Sequence, residues 1–116
     1  MNNQKNIKRD FMIKGNSLKR LIKEHLYYGK EIETIQTKIN NMYADGSDQH
    51  DVNKQKECLQ ESQNVKIQIR EKVIKARDEL QNLFNENTDE EVKETEEYKN
   101  AEAVLNDGLE HFNDKN

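Results

Sequence analysis

The sequence predicts an all-α protein, an elongated up-down-up three-helix bundle whose helices meet along coiled-coil-like seams. Three observations lead there. The 116 residues include no proline and only four glycines, so little in the chain forces the tight turns that an all-β sandwich or barrel needs. Leu, Ile, Val and Phe supply 25 of the 116 residues, barely above the level at which chains stay disordered. That is too few for a thick core, but a narrow seam between helices needs only two or three positions in seven. Finally, these apolar residues recur at alternating steps of three and four, the period of packed helices.

The first seam reads Leu18, Leu21, His25, Tyr28, Ile32, Ile35, Ile39 and Met42. Carried backwards it reaches Phe11 and Ile7, with Lys14 as a polar interruption, while Ile22 and Leu26 widen the stripe. A helix over about 5–44 follows, roughly 60 Å long at 1.5 Å per residue. Asp45-Gly46-Ser47-Asp48 is the punctuation: Gly46 suits the left-handed conformation that ends a helix, and Ser47, Asp48 or Asp51 suits the cap of the next.

The second seam, on a helix over about 49–86, reads Val52, Gln55, Leu59, Ser62, Lys66, Ile69, Val73, Ala76, Leu80 and Leu83. Its middle is polar, and a seam lysine is costly unless its head reaches solvent. Apolar residues beside the seam, Ile67 and Ile74 among them, are expected to lie partly exposed and available to a protein partner. Asn85-Glu86-Asn87 ends this helix. Thr88-Asp89-Glu90-Glu91 then reads as a capping box, the Thr88 hydroxyl and Glu91 carboxylate satisfying each other's backbone amides. It opens a third helix over about 89–112 through Val92, Thr95, Tyr98, Ala101, Leu105 and Phe112, with Leu109 beside the stripe and Gly108 loosening the end. Connections this short make neighbouring helices antiparallel. The chain is therefore expected to form a single three-helix domain over 1–116, its first few and last few residues frayed.

The formal net charge of -4 conceals a strong asymmetry. Residues 1–30 carry +6 and residues 84–116 carry -8. An up-down-up arrangement runs the first and third helices parallel, setting these two segments side by side. It also explains how Lys5, Lys8 and Arg9 crowd a helix N-terminus, where the dipole alone disfavours cations.

No constellation for chemistry emerges. A single Cys58 excludes an intrachain disulfide framework and suits a reducing compartment. No apolar run exceeds three residues, so neither a signal-peptide core nor a membrane span is expected. His25, His50 and His111 have no partner at metal-ligand spacing. His25 falls on the seam, where a packed imidazole is expected, and the other two fall near helix ends. Glu90, Glu91, Glu94, Glu96 and Glu97 form a solvated run, whereas acid–base catalysis needs two groups whose surroundings push their pKa values apart. No glycine-rich phosphate loop precedes a helix. The expectation is a protein that is not an enzyme, with no catalytic residue, cofactor or metal. The basic first helix raises nucleic-acid binding. However, Lys19, Arg20 and Lys23 alternate with seam residues as on any solvated face, the chain as a whole is acidic, and no aromatic platform accompanies them. Neither a nucleic acid nor a membrane is expected as a partner.

Three strings carry a resemblance. Lys19-Arg20-Leu21-Ile22-Lys23-Glu24, the run from Asp51 to Ser62 (Asp-Val-Asn-Lys-Gln-Lys-Glu-Cys-Leu-Gln-Glu-Ser) and Glu96-Glu97-Tyr98-Lys99-Asn100-Ala101 resemble signature stretches of the tubulin-binding cofactor A family. They stand in the family's order with similar spacing, one on each expected helix, and the resemblance covers roughly Ile13 to Asp107. It implies a three-helix chaperone in the cytoplasm, associated with the cytoskeleton. Such a protein captures β-tubulin folding intermediates released by the cytosolic chaperonin and holds them without hydrolysing nucleotide. It then passes them on toward αβ-tubulin, with other tubulin-folding cofactors among its partners.

Family members often carry a proline in the middle of the second helix, near Ile67 here; this chain has none, which predicts a straighter helix. The exposed members of the strings are the expected tubulin contacts: Lys19, Arg20, Lys23 and Glu24, then Lys54, Glu57 and Glu61, then Glu97 and Lys99. The same residues are also able to pair between helices, for only about 0–1 kcal/mol each at a surface. Leu21, Leu59 and Tyr98 are read as core. The competing class is a structural coiled-coil or prefoldin-like helical interaction module, and both a monomer and a weak homodimer fit the seams.

Overall fold

The computed structural model describes residues 3–112, with side chains from Asn6 onward; the fraying expected of the first few and last few residues falls mostly on 1–2 and 113–116, outside the described residues. Every regular element among the described residues is helical: α1 (Asn3–Ala44), α2 (Gln49–Glu86), α3 (Glu90–Lys93) and α4 (Glu96–His111). The expected third helix is thus two helices, the first of a single turn, so the described residues form four helices rather than three. α2 runs unbroken past Ile67, as a chain without proline permits.

The turn between α1 and α2 follows from its residues. Gly46 takes φ +72°, a conformation that favours glycine. It allows the Ser47 amide to donate to the Met42 carbonyl at 2.9 Å and the Gly46 amide to donate to Tyr43 at 3.2 Å, the paired bonds of a Schellman motif. Of the three candidate caps for α2, Asp48 serves, its Oδ1 accepting from the His50 amide at 3.4 Å. At the far end of α2, Asn87 Nδ2 donates to the Leu83 carbonyl at 2.8 Å.

The helix cap moves by one residue, and with Val92 three positions on it is a single cap rather than a reciprocal box. Asp89, not Thr88, caps α3, its Oδ1 accepting from the Glu91 amide at 2.9 Å. α3 then ends after one turn because Thr95 adopts an extended backbone, φ -76° and ψ 151°, and becomes the cap of α4. The Thr95 hydroxyl accepts from the Tyr98 amide at 3.2 Å and donates to the Val92 carbonyl at 2.7 Å, joining the end of α3 to the start of α4. Thr95→Ala is expected to destabilise the protein by about 1 kcal/mol, the usual loss for a removed threonine cap, measured by urea unfolding; Thr88→Ala is expected to change little.

The chain divides into two compact units, one built from the residues up to Ile22 with those from Arg70 onward, the other from Lys23–Ile69. In the first, α1 meets both α2 and α4. Phe11 touches Phe84 and Tyr98, and Lys14 pairs with Glu79 at 3.8 Å. Gly15 lies against Ala101, and Leu18 against Gly108. Rising numbers on α1 thus meet falling numbers on α2 and rising numbers on α4, so within this unit the three helices run up, down and up. The buried residues here include Phe11, Leu18, Val73, Leu80, Leu105 and Phe112. A Cβ added at Gly15 would stand 3.3 Å from both Cα and Cβ of Ala101, so small residues on both sides let α1 and α4 approach closely. Gly108, near the helix end, is buried.

The second unit is the hairpin formed by the later half of α1, the turn and the earlier half of α2. Its core is small: Ile35, Ile39 and Val52, with Met42 and Leu59 packed against them. The seam lysine is accommodated by Gly29, where an added Cβ would meet Lys66 Cε and Nζ at 3.9 and 4.0 Å. Lys66 is half-buried, the end of its side chain lying over the glycine. Gly29→Ala is expected to raise stability in urea unfolding by about 0.5–1 kcal/mol, because it removes an interior helical glycine and its methyl meets only the end of a flexible side chain. The same change at Gly15 is expected to gain less, since its methyl meets helix backbone.

Candidate functional site

Residues three and four apart on a helix share a face. Lys19 with Lys23, and Arg20 with Glu24, are therefore neighbours one turn apart on α1. Lys54, Glu57 and Glu61 make a single row along α2, and Glu97 and Lys99 lie in the first turns of α4. Seven of these nine candidate contacts are exposed; Glu24 and Glu97 are half-buried. Lys19, Arg20, Glu97 and Lys99 belong to the first unit, and Lys23, Glu24, Lys54, Glu57 and Glu61 to the second. Of the string residues read as core, Leu21 is buried, whereas Leu59 and Tyr98 are half-buried.

His25 is half-buried on the seam, and His50 and His111 are exposed; His111 Nε2 lies 3.3 Å from Asp107 Oδ1. Among the described residues, no group of three or more His, Cys, Asp or Glu side chains is placed to hold a metal ion, and no helix is long and apolar enough to cross a membrane. Lys56 Nζ sits 5.2 Å from the centroid of the Tyr43 ring. Its hydrogen bond to the phenol holds the Tyr43 hydroxyl below its usual value, against an opposing rise from desolvation.

The surface also holds large apolar side chains, some expected there and some not. Ile67 is 59% exposed and Ile74 half-buried, both partly exposed as their places beside the seam suggested. Leu26, expected to widen the buried stripe, is 58% exposed, and Tyr27 is 59% exposed. A signal for this was available. Consecutive helical residues differ by about 100°, so the run Leu26-Tyr27-Tyr28 spans roughly 200° and cannot all face one seam. Tyr28 turns inward and meets the Tyr27 ring edge to face, with centroids 5.2 Å apart.

These features define an all-helical protein whose candidate contacts lie along helix faces, seven of the nine exposed. The chain belongs to the tubulin binding cofactor A family, whose sequence profile matches residues 6–105. Tubulin-specific chaperone A of Homo sapiens is 37% identical over 97 residues, covering 84% of this chain and 88% of the relative. That of Gallus gallus is also 37% identical over 97 residues, with the same coverage of each chain. The crystal structure of tubulin folding cofactor A from Arabidopsis thaliana superposes with a TM-score of 0.81 at 28% identity, covering 90% of this chain and 97% of that one.

Proposed function

We propose that this protein is a tubulin-folding chaperone that captures β-tubulin folding intermediates after chaperonin release and holds them stoichiometrically, without hydrolysing nucleotide. What supports this most is the family match across residues 6–105, together with relatives that are themselves named tubulin-specific chaperones. The physical character of the chain agrees with a holding role: exposed helix faces offer long rows of charge and isolated apolar side chains, the kind of surface that binds an extended client by many modest contacts. The proposed contacts are the charged members of the three strings, Lys19, Arg20, Lys23, Glu24, Lys54, Glu57, Glu61, Glu97 and Lys99. The protein acts in the cytosol, where Cys58 stays reduced.

The test is a pull-down of β- against α-tubulin with the purified chain, accompanied by sedimentation. Selective retention of β-tubulin is expected; stable higher oligomers with no preference for β-tubulin would instead favour a coiled-coil or prefoldin-like module. Arg20→Glu/Lys23→Glu is expected to reduce capture at least tenfold with the thermal midpoint unchanged. A lowered midpoint with normal capture would assign those charges to the protein's own packing.

A further inference from the structure

We infer that Lys23, Leu26, Tyr27 and Lys30, on the hairpin part of α1, form a docking face for a segment of the captured chain that carries an apolar anchor between carboxylates; this rests on the chaperone function proposed above. The four residues follow one another at steps of three, one and three, which on a helix gathers them on one exposed side. Leu26 and Tyr27 are 58% and 59% exposed, adjacent, and large. Tyr27 is steadied by its edge-to-face contact with the half-buried Tyr28, so the ring is held for contact before a partner arrives.

The flanking charges identify the partner's chemistry. Lys14 pairs with Glu79, Lys93 with Glu90, and Lys56 with the Tyr43 ring. Lys23 and Lys30 are exposed, and neither forms an ion pair with any described residue. Two uncompensated cations on either side of an apolar pair call for carboxylates on either side of an apolar anchor. A second copy of the chain fits poorly: a two-fold contact through this face would set lysines against lysines. A lipid surface fits poorly too, because interfacial helices present a long apolar stripe, and here only two large apolar side chains stand together.

The experiment compares the full-length chain with Leu26→Ser/Tyr27→Ser, Lys23→Ala/Lys30→Ala and the control Leu109→Ser, which alters an exposed leucine elsewhere. Each variant is checked by circular dichroism and assayed for β-tubulin capture across a salt series. We expect at least a tenfold loss for the apolar pair, a comparable loss with a flattened salt dependence for the lysine pair, and no change for the control. Folded Leu26→Ser/Tyr27→Ser that captures β-tubulin as wild type does overturns the docking face while leaving the chaperone function standing. Wild-type protein that captures no tubulin overturns both. Sedimentation that shows the apolar pair holding two copies together, or phosphatidylserine vesicles retained through it, also overturns the inference by assigning the face to a different occupant.

Discussion

Phe11→Ala is expected to destabilise the protein by about 3–5 kcal/mol, the usual range for emptying a buried phenylalanine site. Phe11 is fully buried. Its ring centroid lies 4.7 Å from Phe84 and 5.1 Å from Tyr98, and those two lie 4.7 Å from each other, all three pairs tilted or edge to face. One ring comes from α1, one from α2 and one from α4, so this single cluster joins every long helix of the first unit. Removing Phe11 loses its transfer from water and two favourable ring contacts, and helices held elsewhere cannot close the gap. Small domains have only about 5–15 kcal/mol of stability, so the loss is a large share of the total. Urea unfolding followed by far-UV circular dichroism measures it. Phe11→Leu should recover more than half of the loss. Met12→Ala, at the next and exposed position, should stay within about 0.5 kcal/mol of wild type.

Arg77→Ala is expected to cost about 2–4 kcal/mol, through a buried carbonyl left without its donor and the packing of the long stem. Arg77 is only 5% exposed, and its guanidinium donates to the Phe112 carbonyl from Nη1 and to Asp78 Oδ1 from Nε and Nη2, at 3.1 and 2.9 Å. The Phe112 amide meanwhile donates to the Gly108 carbonyl at 2.9 Å, and the Arg70 guanidinium lies 6.0 Å from the centroid of the Phe112 ring. The end of α4 is therefore held by two arginines of α2. Arg77→Lys should recover little, since a lysine cannot reproduce the planar fork that serves two acceptors at once. Asp78→Ala should cost less than about 1 kcal/mol, because that carboxylate is largely exposed. Hydrogen exchange supplies the local readout: in Arg77→Ala, the amides near the end of α4 should exchange faster than those of the α1–α2 turn. Equal exchange at both would show that the arginine does not hold the helix end.

Local signals made much of this protein legible in its residues. The stop at Gly46 and the start at Asp48 depend on four consecutive positions, and the heptad steps place Phe11, Leu18, Ile35, Ile39, Val52, Val73 and Leu80 on buried faces. The break at Thr95 escaped because no glycine or proline marks it. Its one clue, a threonine followed by Glu96 and Glu97, repeats the pattern at Thr88 and lies inside a continuous apolar stripe. Seven of the nine candidate contacts were legible as solvated charges, since Lys19, Lys54 and their neighbours stand off the seam; the half-burial of Glu24 and Glu97 was not. Which apolar residues would join them at the surface was not, as Leu26 shows.

Local sequence is enough for the two long helices, the turn between them and the seam positions, because each depends on residues within a turn or two of one another; the division of the last helical stretch at Thr95 is not among them. How wide an arc of each helix is covered depends instead on how the helices pack. In the first unit α2 faces two helices, so burial extends past the seam to Arg77, and α4 comes close enough to bury Gly15 and Gly108. In the second unit α1 faces one helix, so Leu26 and Tyr27, on the same periodic stripe by sequence or next to it, are left in solvent. Periodicity reports the direction of a side chain around its helix; only the number of neighbours at that level decides whether the direction leads to a core or to a partner.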